Sequence, residues 1–227
     1  MASELDEMRL SLSQIRKNKA RRLLLCLCID KSTSMSMDQR MSTVNQGIEA
    51  FLQRIQDDLT AKDAIEVCLI TFGEGAELLH DFGPLQRDWW SGRPLRATDS
   101  RSEMGAGVLL ALEQMKQRKQ LLTDLGISCF RPWLFLISDG AATDIERCRQ
   151  AGARVKELLQ ADKLRVKCVG ISETLEDMRI MREFTLNGQV DQMDSLELVE
   201  FFEMLSRSVS AASRQSIQRG ELEKNWV

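Results

Sequence analysis

The stretch LLLCLCIDKSTSM, residues 23–35, constrains this chain more than any other. Apolar, strand-prone residues run unbroken into Asp30, and hydroxyls follow at every second position, Ser32 and Ser34. A near-continuous apolar run reads as a strand buried on both faces. In open α/β sheets, ligands sit at the carboxyl ends of such strands. One hard carboxylate with hydroxyls suits Mg²⁺ or Mn²⁺ rather than zinc. D-x-S-x-S is short enough to recur by chance, and the same residues also cap helices. Its meaning therefore depends on what lies downstream.

The downstream order alternates. Residues 39–58 carry Val44, Ile48, Phe51, Leu52 and Ile55 at helical spacing. Residues 65–72 (IEVCLITF) form a second apolar run, and Glu74-Gly75 turns it into a hairpin partner over 76–82. A long loop over 83–104 leads to a helix over 105–122. The strand 132–138 ends in Asp139-Gly140, and a helix over 143–160 follows, with Thr143 as its expected cap. A strand over 164–171, a helix over 175–183, a weak strand over 184–190 and a helix over 195–211 complete the pattern. Strands alternating with helices predict an α/β fold: a doubly wound, mostly parallel central sheet with one antiparallel edge strand and helices on both faces. The expected division is a helical and basic extension over 1–21, one domain over 22–212 and a polar tail over 213–227.

Composition narrows the partners. Of the 227 residues, 43% are apolar and 29% charged, the balance of a globular chain with one core. The net charge of −3 gives no reason to expect nucleic acid. No apolar run approaches the roughly 18 residues of a membrane span, and the N-terminus lacks the apolar stretch of a secretory signal. Four of the six cysteines, Cys26, Cys28, Cys68 and Cys168, lie inside apolar strand-like runs and no C-x-x-C occurs, which reads as reduced thiols in a cytoplasm. The basic run 16–22 reads as a solvated flank. His80 is the sole histidine and falls in the edge hairpin, away from the ligand loops.

Two further segments should reach the same sheet end as Asp30. Asp139 terminates the strand PWLFLIS, and Ser102 lies just before an apolar helix. The set becomes Asp30, Ser32, Ser34, Ser102 and Asp139. This order of D-x-S-x-S, a hydroxyl and Gly before a helix, then an apolar strand ending in S-D-G, resembles the metal-ion-dependent adhesion site (MIDAS) of the von Willebrand factor type A (VWA) family over roughly residues 22–212. The stretches VCLITFGEGAEL, RPWLFLISDGAATD and FFEMLSRSVSAASR are similar to the bacterial tellurium-resistance-associated members.

The resemblance implies a VWA, Rossmann-like fold. Ser32, Ser34 and Ser102 would ligate Mg²⁺ or Mn²⁺ through their hydroxyls, with Asp30 and Asp139 acting directly or through water. A coordination position would be left for a partner's carboxylate. Three departures matter. Ser102 stands where the family usually has Thr, Thr33 replaces a Gly, and Lys31 sits beside the cation site. Thr33 would be strained if its φ had to be positive, and Lys31 either points away or repels a divalent ion.

The expected function is a non-enzymatic, metal-dependent protein-interaction module with a scaffold or regulatory role in a bacterial stress-response or tellurium-resistance system. By resemblance its partners include kinase- or phosphatase-like and stress-response proteins, with no nucleic acid and no membrane. Trp89 and Trp90, adjacent in a polar loop, are candidate partner contacts; the competing reading folds them back on the domain. A degenerate, metal-free interaction site is the alternative. A metal-dependent hydrolase is disfavoured, because a haloacid-dehalogenase-like phosphatase needs a second Asp where this chain has Ser32.

Overall fold

The structure, a computed structural model, describes residues 18, 20–83, 85, 90, 94–171, 177–193, 197, 199–205, 207–208 and 211. Its centre is β1 (Leu23–Asp30), every residue of which is buried. Parallel to β1 lie β2 (Ile65–Gly73) on one side and β4 (Trp133–Ser138) on the other. β3 (Gly75–His80) pairs antiparallel with β2, and β5 (Arg165–Gly170) and β6 (Asp191–Gln192) extend the sheet beyond β4. The order is β3-β2-β1-β4-β5-β6. The mostly parallel sheet with one antiparallel edge is thus as the sequence pattern predicts.

Alternation along β1 divides the core in two. Leu23, Leu25, Leu27 and Ile29 face a cluster built by α1 (Arg40–Asp57), α2 (Leu59–Ala64) and the C-terminal helix α5 (residues 199–205). Leu24, Cys26 and Cys28 face the other cluster, built by α3 (Met104–Asp124) and α4 (Ile145–Gln160). Helices therefore cover both faces, which is why the strands are apolar throughout rather than alternating. α5 is seated by aromatic contacts: Phe201 lies 5.5 Å from Phe135 on β4, and Phe202 lies 6.5 Å from Phe51 on α1. Gly47 makes this seat possible, since a Cβ there would stand 2.1 Å from the Phe202 ring.

Several local expectations are corrected. Residues 184–190 do not form a strand; the sheet is completed by Asp191–Gln192 instead. Residues 177–184 form a 3-10 helix, and α2 went unforeseen in a stretch too short for periodicity to register. Thr143 does not cap α4, whose N-cap is Asp144. Arg22, expected in a solvated flank, is 4% exposed and pairs with the buried Glu66 at 3.3 Å. Arg118 of α3 binds the other Glu66 oxygen at 2.6 Å. This buried ion triad closes the amino end of the sheet, opposite the candidate site.

All six cysteines are free, and all but Cys129 are buried. Burial pushes the Cys28 thiol well up and the Cys168 thiol up to about 12, so these sulfurs behave as inert core atoms.

Candidate metal centre

The carboxyl ends of β1 and β4 lie side by side, with Ile29 in register with Ile137. Asp30 and Asp139 therefore leave adjacent strands, as the sequence reading requires. Asp30 is fully buried. Its Oδ1 accepts the Ser32 backbone N–H at 2.8 Å, and its Oδ2 accepts the hydroxyls of Ser102 at 2.9 Å and Ser138 at 2.6 Å. The hydroxyls of Ser32 and Ser34 stand 3.0 Å apart. Neither Ser32 nor Ser102 spends its side chain capping a helix: Ser32 makes no such bond, and the residue at the N-cap of α3 is Glu103.

Burial raises the Asp30 pKa above the ordinary carboxylate value, and the Asp139 charge adds to the rise. The hydrogen bonds from Ser138 and Ser32 hold it back. A carboxylate kept ionised in such a place depends on its donors.

Ser138 is the residue that sequence reasoning missed. In the sequence it is the last residue of an apolar strand, yet its hydroxyl donates to Asp30 and accepts the Gly140 N–H at 3.0 Å. Gly140 has φ of 96°, a left-handed turn that L side chains resist. This turn lifts the chain off β4 and leaves Asp139, 4% exposed, with Oδ1 accepting the Ala141 N–H at 3.3 Å.

The loop bearing Ser102 is tied to the loop after Asp139. The Thr143 N–H donates to the Ser102 carbonyl at 2.8 Å, and the Thr143 hydroxyl accepts the Ser102 N–H at 3.3 Å. Asp144 accepts the Gly105 and Ala106 N–H groups at the start of α3, at 3.1 and 3.0 Å. A charge-assisted cap is thereby supplied across the fold.

The doubtful positions resolve individually. Thr33 is not among the positive-φ residues, so replacement of Gly there brings no strain. Lys31 turns away from the site, pairing with Glu77 at 3.2 Å and Asp99 at 3.4 Å. Asp99 is anchored in turn by the Glu74 N–H at 2.8 Å. Trp89 lies outside the described residues. Trp90 is half-buried and packs against the α1-side core, which favours the folded-back reading for that ring. Burial lowers the His80 pKa, and its position on edge strand β3, paired with Leu69, sets it away from the Asp30 end.

The donor set fits a small hard cation. Adjacent ligands on an octahedron with bonds of about 2.1 Å stand about 3.0 Å apart. The Ser32–Ser34 and Ser102–Asp30 hydrogen bonds, at 3.0 and 2.9 Å, are compatible with that spacing. Among the described residues, no group of three or more His, Cys, Asp or Glu side chains is placed to hold a metal. The Asp30 end is of another kind, two carboxylates with hydroxyls, which disfavours soft or borderline metals.

Comparison with known proteins agrees with this fold. No family model matches the chain. A mouse protein, calcium-activated chloride channel regulator 3A-1, is 26% identical over 200 residues, covering 88% of this chain and 21% of that protein. The chain thus spans about a fifth of the length of the curated relatives it matches. The von Willebrand factor domain of the type V pilus tip protein Mfa5 from Porphyromonas gingivalis superposes with a TM-score of 0.65 at 11% identity, covering 90% of this chain and 99% of that one. Proximal thread matrix protein 1 of the mussel byssus, with a zinc-occupied MIDAS motif, gives a TM-score of 0.60 at 11% identity, covering 86% and 47%. The chain has the VWA fold.

Proposed function

We propose that the Asp30 end takes Mg²⁺ or Mn²⁺ and presents it to a carboxylate on a protein partner, making this chain a non-enzymatic interaction module. One observation carries the reading: among the described residues, Asp30 is buried with neutral N–H and hydroxyl donors and no cationic partner, two of the hydroxyls coming from segments far apart in the chain. Ser32, Ser34 and Ser102 would offer hydroxyl oxygens, and Asp30 and Asp139 would act directly or through water. The cation supplies a Lewis-acidic position for the incoming carboxylate. The mussel protein with a zinc-occupied MIDAS shares the fold and supports a divalent cation at this place, without selecting Mg²⁺ or Mn²⁺.

Free, mostly buried cysteines support a reducing compartment such as the cytoplasm. Among the described residues no helix is long and apolar enough to cross a membrane. The bacterial stress-response or tellurium-resistance setting, with kinase- or phosphatase-like partners, rests on the sequence resemblance alone. Partner contact by Trp89 and by the exposed part of Trp90 belongs to the same proposal.

The test is thermal unfolding in EDTA and then in millimolar Mg²⁺ or Mn²⁺. A cation that binds only the folded chain stabilises it by about 2.7 kcal/mol at a hundred times its dissociation constant. The rise should vanish in Asp30→Ala and shrink in Ser34→Ala, which leaves the buried carboxylate intact. No rise in the wild type refutes the metal reading. It would favour a second one, metal-free partner binding, for which the closeness of Arg40 to Asp139 speaks.

A further inference from the structure

Arg40, the first residue of α1, stands at the candidate site although no ligand motif includes it. Its Nη1 lies 3.8 Å from Asp139 Oδ2, and its Nη2 lies 3.4 Å from Asp38 Oδ2. The Arg40 side chain is 14% exposed and that of Asp139 only 6%, while Asp38 is 73% exposed. The guanidinium thus has one buried carboxylate and one open to solvent.

The chain delivers Arg40 through an unusual backbone. Asp38 and Gln39 are consecutive non-glycine residues in the left-handed region, at φ 49° and 59°, after an extended Met37. Such a pair persists where its surroundings hold it. Here it turns the start of α1 so that its first side chain reaches the Asp139 loop.

The charges around Asp30 and Asp139 give this placement a meaning. Asp30 receives only neutral donors, and the Asp139 charge opposes its ionisation. Lys31, the nearest cation in sequence, is engaged by Glu77 and Asp99. Among the described residues, Arg40 is the cationic side chain paired with Asp139, whose charge adjoins Asp30.

We infer that Arg40 is the resident counter-cation of the Asp30–Asp139 pair and that a divalent cation must displace it from Asp139 to bind. This rests on the metal reading above. A divalent ion at Asp139 and a guanidinium in contact with the same carboxylate repel each other. Asp38 offers the displaced guanidinium an exposed partner within its present reach. Competition of this kind weakens the apparent affinity for the cation by the fraction of molecules in which Arg40 holds Asp139.

The experiment is calorimetric titration of the intact chain with Mn²⁺ alone, for wild type, Arg40→Gln and Lys31→Gln. Removing one positive charge at contact range should tighten Mn²⁺ binding about tenfold in R40Q. K31Q, whose charge is already paired, should stay within about twofold of wild type. Equal affinities for wild type and R40Q overturn the inference and leave the metal reading standing. Equal tightening in R40Q and K31Q also overturns it, because net charge would then explain the gain. Absence of binding in both wild type and R40Q removes the metal reading and the inference together. Should R40Q fail to fold, Mg²⁺ titration of the wild type by NMR supplies the decision. The Arg40 guanidinium resonance should shift and saturate with the site, and an unmoved resonance in a metal-bound protein overturns the displacement.

Discussion

Ser138→Ala isolates how far its hydroxyl offsets the burial of the Asp30 carboxyl. The substitution removes one hydroxyl that donates to Asp30 Oδ2 at 2.6 Å and accepts the Gly140 N–H at 3.0 Å. A hydrogen bond to a charged group contributes about 1.5–3 kcal/mol, and an orphaned buried donor costs about 1–3 kcal/mol. The two losses share one site and do not add fully, so we expect about 2–4 kcal/mol. In a chain of this size that corresponds to a fall of roughly 5–12 °C in melting temperature. The pH dependence separates the two parts. Burial already raises the Asp30 pKa above its ordinary value, and the Ser138 bond opposes that rise. Without it the folded-state pKa moves further up. An acid with a raised folded pKa gives stability that is present below its unfolded pKa and lost as pH rises through the folded pKa. The gap between wild type and variant should therefore widen from the ordinary carboxylate range toward neutrality. The Gly140 part persists at low pH. Urea unfolding in EDTA across about pH 4 to 8 measures both. A gap below about 0.5 kcal/mol at neutral pH, or one that does not change with pH, refutes the reasoning.

Other perturbations follow from the same geometry. Glu66→Gln should destabilise by about 3–5 kcal/mol in denaturant unfolding, because it leaves the buried Arg22 and the partly buried Arg118 without their countercharge. Asp144→Ala should lower stability by about 0.5–2 kcal/mol, and hydrogen exchange should locate the loss at the first turn of α3 rather than in α4. Gly47→Ala should cost about 1–3 kcal/mol by pushing Phe202 out of its seat, and limited proteolysis should then open the chain near α5 first.

The sequence exposed the parts of this molecule that periodicity and charge reveal. The apolar run ending at Asp30 located β1, and the matching end at Asp139 located β4, because a strand buried on both faces leaves no polar residue until it emerges. Helix α1 was readable from the spacing of Val44, Ile48, Phe51 and Ile55 on one side. What stayed hidden depended on partners distant in sequence. The Ser138 hydroxyl looks like any strand residue until β1 is placed beside it. Asp144 sits where an acid ordinarily serves its own helix, and only the packing of α3 on α4 sends it elsewhere. Arg22 is one cation in a basic run until Glu66, 44 residues on, is brought beneath it. Arg40 lies on a helix with no ligand spacing, and the left-handed pair before it carries no glycine to announce a turn.

The bonds between the Ser102 and Asp139 loops have a mechanical consequence. Two reciprocal hydrogen bonds join Ser102 to Thr143, and Asp144 grips the first turn of α3. Segments some forty residues apart in the chain thus form one clasp, with a candidate ligand residue on each side. Moving either loop by itself would break these bonds, at about 0.5–1.5 kcal/mol each. The Ser102 segment and the Asp139 loop are thereby held in one fixed relation at the same end of the sheet.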